Sequence, residues 1–580
     1  MGLFDRRRHK NLYSSPSSSV SRGFLGLPTS PGFSSASVAS FSSVERSPRT
    51  RLVQVPRDPH SFRPGEESFD YSPFSAVQDG IAFSSLASDR LRVIIVGTGF
   101  AGLATAIACA RQNFAVTVLE RSSGLSPHGD SILFGSNASK LLHRWGVGTD
   151  MYKRGASRGK WIFKSQQGED IWLEDLNEFP AIYGAPILQG KRASFLGSLG
   201  VEARLLGVQI RYESEVVKYW DSAEEPAVVL ASGEVVGGDV VIVADGVHSP
   251  ARHLLASRDR PAVSKRPSGY SIDRAVMTSG SIASDATCAH FLDGTIRTWL
   301  GPDCHVCTYP MDHGNALAFT FTHRDEQREA SLDWRKKKPV AEILQQLDAS
   351  WDPALRALLA HFPSTLHWQI LDETPETEWI SAGGKIGFIG DAVHAMMPTS
   401  LQGGSQSIED AATIALCLAM AGSDPAGVRV ALETYESLRR PRVQQAQLLG
   451  KQQQDLWHSF ASRASSSTFP PPRPFSLRPL SFSLYAHDAE HFALFNFSAF
   501  AQANDPDFVM QRRWVVEAAR SAGIDLAQVS CPPASGHSST SESDGPLEVM
   551  RERGNSTERV AESTGKALRT RRSTLLRRRS

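Results

Sequence analysis

Residues 93–120, "VIIVGTGFAGLATAIACARQNFAVTVLE", leave a chain little freedom in how it folds. A β-branched apolar run stops on Gly97, and two more glycines follow at 99 and 102. Small and apolar residues at helical spacing then lead into a second apolar run that ends on Glu120. The period changes from strand to helix and back to strand, which is the pattern of a β-α-β unit. At its first junction the spacing G-x-G-x-x-G has a physical meaning. Gly97 allows a tight turn, Gly99 lets backbone approach a pyrophosphate, and Gly102 lets helix and strand pack closely. The helix N-terminus offers unpaired N–H groups to the phosphates. Glu120, 18 residues beyond Gly102, ends the second strand where a carboxylate reaches ribose hydroxyls. Its charge repels a 2′-phosphate, so NADP is the poorer tenant of this site, and FAD or NAD remains.

Two further segments have a related shape. In "GDVVIVADGVHSPAR" (238–252) a strand ends on Asp245-Gly246, and Asp-Gly is also a favoured turn pair. In "GFIGDAVHAMMPTSLQGGSQSIEDA" (387–411) an apolar run stops on Gly390-Asp391, crosses a loop holding Gly403-Gly404, and enters a helix. A carboxylate at a strand end suits a polyol. Bare glycine backbone suits a flat ring, and a helix N-terminus suits a ring that becomes anionic on reduction. Alone, the first segment reads better as a plain strand and turn, and the second is open to the same reading. Three such segments in one chain favour a flavin site.

With these residues in view, the chain from about 90 to 460 resembles the single-component FAD-dependent aromatic hydroxylases, and most closely the salicylate-hydroxylase-like monooxygenases of fungi. The resemblance rests on the three segments above, on "GKRASFLGSL" around Arg192, and on "YESLRRPRV" (435–443), all in family order. "LYAHDAEHFA" (484–493) is similar to a C-terminal segment of the fungal members.

The fold implied is α/β: a Rossmann-like FAD-binding domain with a parallel sheet, an inserted mostly β-sheet substrate domain and a helical C-terminal part. The expected boundaries are 89–270 and 375–460 for the FAD domain, 271–374 for the substrate sheet, and 461–530 for the C-terminal segment. By resemblance, Gly97, Gly99 and Gly102 hold the pyrophosphate and Glu120 the adenosine ribose. Arg192 lies by the ribityl-phosphate arm, Asp245 assists flavin and reduced nicotinamide, Asp391 binds the ribityl hydroxyls, and Gly403 and Gly404 approach the isoalloxazine ring. The family's Gly-x-Gly-Ile reads Gly129-Asp130-Ser131-Ile132 here, and its Gly-Gln-Gly reads Leu401-Gln402-Gly403. Each departure puts a side chain where backbone normally suffices.

The activity implied is hydroxylation of an aromatic or related electron-rich small molecule with O2, through a flavin C4a-hydroperoxide. NADPH or NADH serves as transient reductant, since no second nucleotide unit is legible. The alternatives are a flavin-dependent epoxidase or oxidase of secondary metabolism, and a non-catalytic flavin-binding interaction protein. On the substrate side, residues 297–323 alternate as strands do, and His305 and Tyr309, four apart, share a face. They are the catalytic candidates, to orient or deprotonate a phenol. Cys304 and Cys307, three apart on a strand, face opposite ways, so no metal is expected.

Composition narrows the rest. With 62 basic and 61 acidic residues, no global field recommends nucleic acid. Six scattered cysteines in 580 residues favour a reducing compartment. No run reaches the ~20 apolar residues of a membrane span. The Ser/Arg-rich stretch 1–88, a Ser/Pro connection near 463–480 and the basic tail 531–580 are expected to be disordered. The first also fits a transit peptide, so the expectation is a cytoplasmic monomer or homodimer, with mitochondrial targeting as the alternative.

Overall fold

The computed structural model describes residues 90–126, 131–155, 159–255, 266–326, 336–372, 378–422, 424–460 and 482–526. The expectations for 1–88, 463–480 and 531–580, and that for Gly129, lie outside these residues.

Five strands form an all-parallel sheet in the order Ile386–Phe388, Val240–Val243, Arg92–Val96, Ala115–Leu119, Gln209–Arg211. Val240–Val243 is buried along its whole length, which is why it reads as an unbroken apolar run. The register sets Val96 beside Val243 and Val243 beside Phe388. Parallel strands in register end together, so the three segments singled out above discharge their loops at one edge. In open α/β sheets that carboxyl edge is where ligands bind.

Helix Phe100–Arg111 leaves the first strand through Gly99. It packs against helix Gly403–Met420, which is buried on every side from Ser405 to Met420. A helix buried all round belongs in a core, and this one is flanked by the long helix Val428–His458 and by helix Ala489–Asn504. Asp488 caps the last by accepting from His491 N, and also pairs with Arg144 at 2.5 Å, tying the "LYAHDAEHFA" segment to helix Ser136–Arg144.

A second sheet has eight strands, in the order Lys336–Pro339, Ser364–Asp372, Arg266–Thr278, Ala316–Arg324, Cys304–Met311, Ile296–Gly301, Lys160–Ser165, Asp170–Asp175. Its last two strands come from within the stretch expected to belong to the FAD domain. They join through the parallel pairing of Lys160–Ser165 with Ile296–Gly301, a contact across more than a hundred residues that no local pattern announces. On one face Trp299, Val306, Phe319 and Phe321 pack with Val340, Ile343, Leu355 and Leu358 of two short helices. Period-2 alternation turns His305, Cys307, Tyr309, Thr320 and Thr322 to the other face, over a cavity. No helix among the described residues is long and apolar enough to cross a membrane.

Candidate active site

A cavity of about 300 Å³ lies between the carboxyl edge of the parallel sheet and the inner face of the large sheet. One wall is made by Gly99, Arg192, Asp391, Gly403 and Gly404, the other by His305, Cys307, Tyr309, Thr320 and Thr322. Met396, Met397, Ile272 and Trp457 supply its apolar lining.

The glycines divide the work as their spacing suggests. A Cβ on Gly102 would lie 2.0 Å from the Gly97 carbonyl oxygen, and one on Gly97, whose φ is +103°, would lie 2.7 Å from the Ala244 carbonyl oxygen. A Cβ on Gly99 would meet no protein atom within 4 Å. Two glycines therefore serve packing, and the third leaves room for something that is not protein. Glu120 ends its strand as expected, but most of its capacity is spent locally. Its Oε2 accepts from Thr98 N (2.9 Å) and Thr98 Oγ1 (2.6 Å), and its Oε1 from Ser122 N (2.9 Å). Burial acts to raise its pKa, but these hydrogen bonds outweigh it and leave the carboxyl below its ordinary value.

Arg192 opens helix Arg192–Leu205 and stands 4.8 Å over the Phe100 ring. Asp391 is exposed at the cavity's edge, where Gly390, at φ +59°, turns the chain. Gly403 and Gly404 begin the 18-residue helix, so its unpaired N–H groups face the cavity. Asp245 does not line the cavity, although Ala244 and Gly246 do. Burial pushes its carboxyl up to about 6, against the charge of Arg252. Across the cavity, burial drives the His305 imidazole well below its ordinary pKa and the Tyr309 phenol well above its own. Both are therefore neutral near pH 7.

The model of the family described as FAD binding domain matches residues 90–448. The chain belongs to this family and is an FAD-dependent monooxygenase. Its relatives include the asperlicin C monooxygenase of Petromyces alliaceus, 29% identical over 382 residues, covering 64% of this chain and 81% of that one. The FAD-dependent monooxygenase nanF of Aspergillus nanangensis is 30% identical over 390 residues, covering 63% and 82%. Among solved structures, FqzB superposes with a TM-score of 0.61 at 28% identity, covering 71% of this chain and 95% of that one. The residues present fit FAD: bare backbone with open space at Gly99, a helix N-terminus behind two glycines, and a carboxylate at the rim.

Sequence reading missed what holds the cavity-lining loop that carries Asp391. Buried Arg439 donates to Glu409 (2.5 Å), to Asp410 (2.9 Å) and to the side chain of Gln406 (2.6 Å). Arg442 adds two hydrogen bonds to Glu409, at 2.6 and 2.7 Å. Asp410 in turn accepts from Gly390 N (3.0 Å) and contacts His394 (2.5 Å), fixing the turn that carries Asp391. Asn137 bridges Glu409 (2.6 Å) and Gln402 (3.0 Å). Burial alone would raise both carboxyls, but Arg442 and Arg439 hold Glu409, and His394 and Arg439 hold Asp410, below their ordinary range. "SIEDA" and "YESLRRPRV" are thus two halves of one ionic brace. The available signal was a Glu-Asp pair inside an otherwise apolar helix, since buried carboxylates need partners.

The Leu401 departure also has a structural meaning. Leu401 sits in the left-handed region at φ +54°, where glycine is at home, and its side chain lines the cavity. An L-residue there costs about 1–2 kcal/mol, and glycine returns about 0.5–1 of that through its looser unfolded chain. Leu401→Ala and Leu401→Gly both remove the side chain, but only glycine relieves the backbone. Denaturant unfolding is expected to find the Gly variant more stable than the Ala variant by about 0.5–1 kcal/mol. Equal stabilities would contradict the strained turn. Ser131, the other departure, lines the cavity and offers its carbonyl to Arg274 at 3.4 Å.

Proposed function

We propose that this monooxygenase hydroxylates an aromatic or related electron-rich small molecule, with NADPH or NADH binding transiently as reductant. The observation that carries the reading is one cavity with two unlike walls, bare backbone and a carboxylate on one, and hydroxyl and imidazole groups together with the Arg274 guanidinium on the other. FAD, when bound, supplies the electron transfer and oxygen activation. Gly97, Gly99 and Gly102 would shape the turn that receives its pyrophosphate, with the open space at Gly99. Glu120 uses its remaining lone pairs on the adenosine ribose, Arg192 neutralises the phosphate arm, and Asp391 receives the ribityl hydroxyls. The helix beginning at Gly403 stabilises negative charge on the ring.

The substrate wall performs orientation rather than proton abstraction. A histidine with its pKa lowered by burial is a poor base toward a phenol, and a tyrosine with its pKa raised stays a donor. His305 and Tyr309 therefore hold polar substituents of the substrate while Met396, Met397 and Trp457 exclude water. Asp245, turned away from the cavity, supports this edge of the sheet at a distance. Asp391→Ala is expected to purify with FAD substoichiometric, at least about tenfold weaker in affinity, because a polyol loses a charged acceptor. Flavin-to-protein absorbance after gel filtration checks this, and wild-type occupancy would refute the assignment. Product mass tests the reaction. One added oxygen atom with the ring intact is the expected product, and ring loss or simple dehydrogenation contradicts it.

A further inference from the structure

His305 does not stand alone in the cavity wall. Its Nδ1 lies 2.9 Å from Nε2 of His458, at the end of the long helix, and the edge of Trp457 packs on its ring at 4.9 Å. The other nitrogen of His458, Nδ1, is buried and has no hydrogen-bond partner in the protein. Burial holds both rings neutral, with His458 lowered to about 4. Two neutral imidazoles share one hydrogen between Nδ1 and Nε2, so only two proton arrangements exist.

In the first, His305 donates from Nδ1, and His458 must carry its own proton on Nδ1, which strands a buried N–H. In the second, His458 donates from Nε2 and keeps only a bare lone pair on Nδ1. Then His305 accepts at Nδ1 and carries its proton on Nε2. Orphaned buried N–H groups are rarer than unfilled acceptors, so the second arrangement is favoured. With Nδ1 engaged by His458, Nε2 is the polar group that His305 presents to the cavity.

We propose that His458 is a positioning residue that fixes His305 as an Nε2–H donor, so that the cavity selects electron-rich aromatics bearing a carbonyl or amide oxygen at that point. The inference rests on the monooxygenase reading for the cavity's purpose, but the tautomer does not. A carbonyl or amide oxygen, which only accepts, is satisfied by this donor alone, whereas a phenol oxygen accepting here must still send its own hydrogen to another acceptor.

The test begins with full-length protein labelled at histidine 13Cδ2, with the His305 resonance assigned by its loss in His305→Gln. Its shift is expected to report the Nε2–H tautomer in the wild type. His458→Gln, which keeps a donor where Nε2 stood, should preserve that shift, and His458→Phe should lose it. An Nδ1–H or doubly protonated His305 in the wild type, or an unchanged shift in His458→Phe, overturns the proposal.

Two probes of similar shape, indole-3-carboxamide and 3-isopropylindole, then measure recognition by isothermal titration calorimetry, which needs no flavin. The wild type should favour the carboxamide by about five- to tenfold, the worth of one neutral hydrogen bond. His305→Phe and His458→Phe should lose that preference, while His305→Gln and His458→Gln keep it. No preference in the wild type, including no binding of either probe, or an unaltered preference in both Phe variants, contradicts the recognition. Flavin absorbance of the same samples is a separate readout: protein without flavin sinks the monooxygenase reading while leaving tautomer and preference legible.

Discussion

Arg439→Met is expected to lower the unfolding free energy by about 3–5 kcal/mol, the usual result of removing one partner from a buried ion pair. Arg439 is 2 % exposed and faces two carboxylates that have no access to water. Glu409 would keep Arg442, but Asp410 would be left with His394 and the Gly390 N–H. The uncompensated charge is the source of the loss, since methionine fills much of the same volume. Because Asp410 also holds Gly390 N, the turn bearing Asp391 should loosen and flavin retention should fall with stability. Urea unfolding followed by circular dichroism gives the first number and flavin occupancy the second. Adding Asp410→Asn to Arg439→Met should cost less than the sum of the two single changes, because the residues act as one network. A loss below about 1 kcal/mol, the range of exposed ion pairs, would show the brace to be weaker than its burial implies.

The second large effect separates cofactor from fold within three residues. Gly99→Asp is expected to leave the melting temperature of the apoprotein unchanged, because its side chain enters open space, and to weaken FAD binding about 100-fold, or ~2.7 kcal/mol. A carboxylate there would face the pyrophosphate, like charge against like charge. Gly102→Ala should do the reverse in order. Its methyl would collide with the Gly97 carbonyl, so the apoprotein itself should lose about 1–3 kcal/mol before any cofactor is added. Thermal unfolding of apoprotein and FAD titration by fluorescence quenching distinguish the two. If Gly99→Asp destabilises the apoprotein as much as Gly102→Ala, the assignment of the open space to cofactor is wrong.

Much of this was legible in the sequence for a physical reason: the glycine spacing is local. The turn at Gly97, the helix behind it and the carboxylate closing the next strand are all encoded within residues 93–120. The same holds for the strand ends at Asp245 and Asp391 and for the face shared by His305 and Tyr309, which strand periodicity alone predicts. The side-by-side order of three strand ends was not legible, because pairing of Val96 with Val243 and of Val243 with Phe388 is decided across long stretches of chain. The recruitment of Lys160–Ser165 and Asp170–Asp175 to the large sheet was hidden for the same reason. Arg439 and Arg442 were visible only as marks of a family motif, since their partners lie about one helix earlier. His458 closes a polar run, "KQQQDLWH", that reads as a solvated helix face, and its burial depends on the sheet it meets. The direction of Asp245 was likewise beyond reach, because an Asp-Gly turn specifies backbone and not where the carboxylate points.

The central claim is a flavin monooxygenase whose cavity accepts an aromatic ligand, and one measurement addresses it directly. Purified full-length protein is examined by visible absorption, then mixed anaerobically with NADPH or NADH in the presence and absence of indole-3-carboxamide and simple phenols. The account predicts an oxidised flavin spectrum that bleaches on adding reduced nicotinamide, and faster with an aromatic bound. Protein reconstituted with FAD that shows no flavin spectrum, or a flavin that neither nicotinamide reduces under any of these conditions, would contradict it.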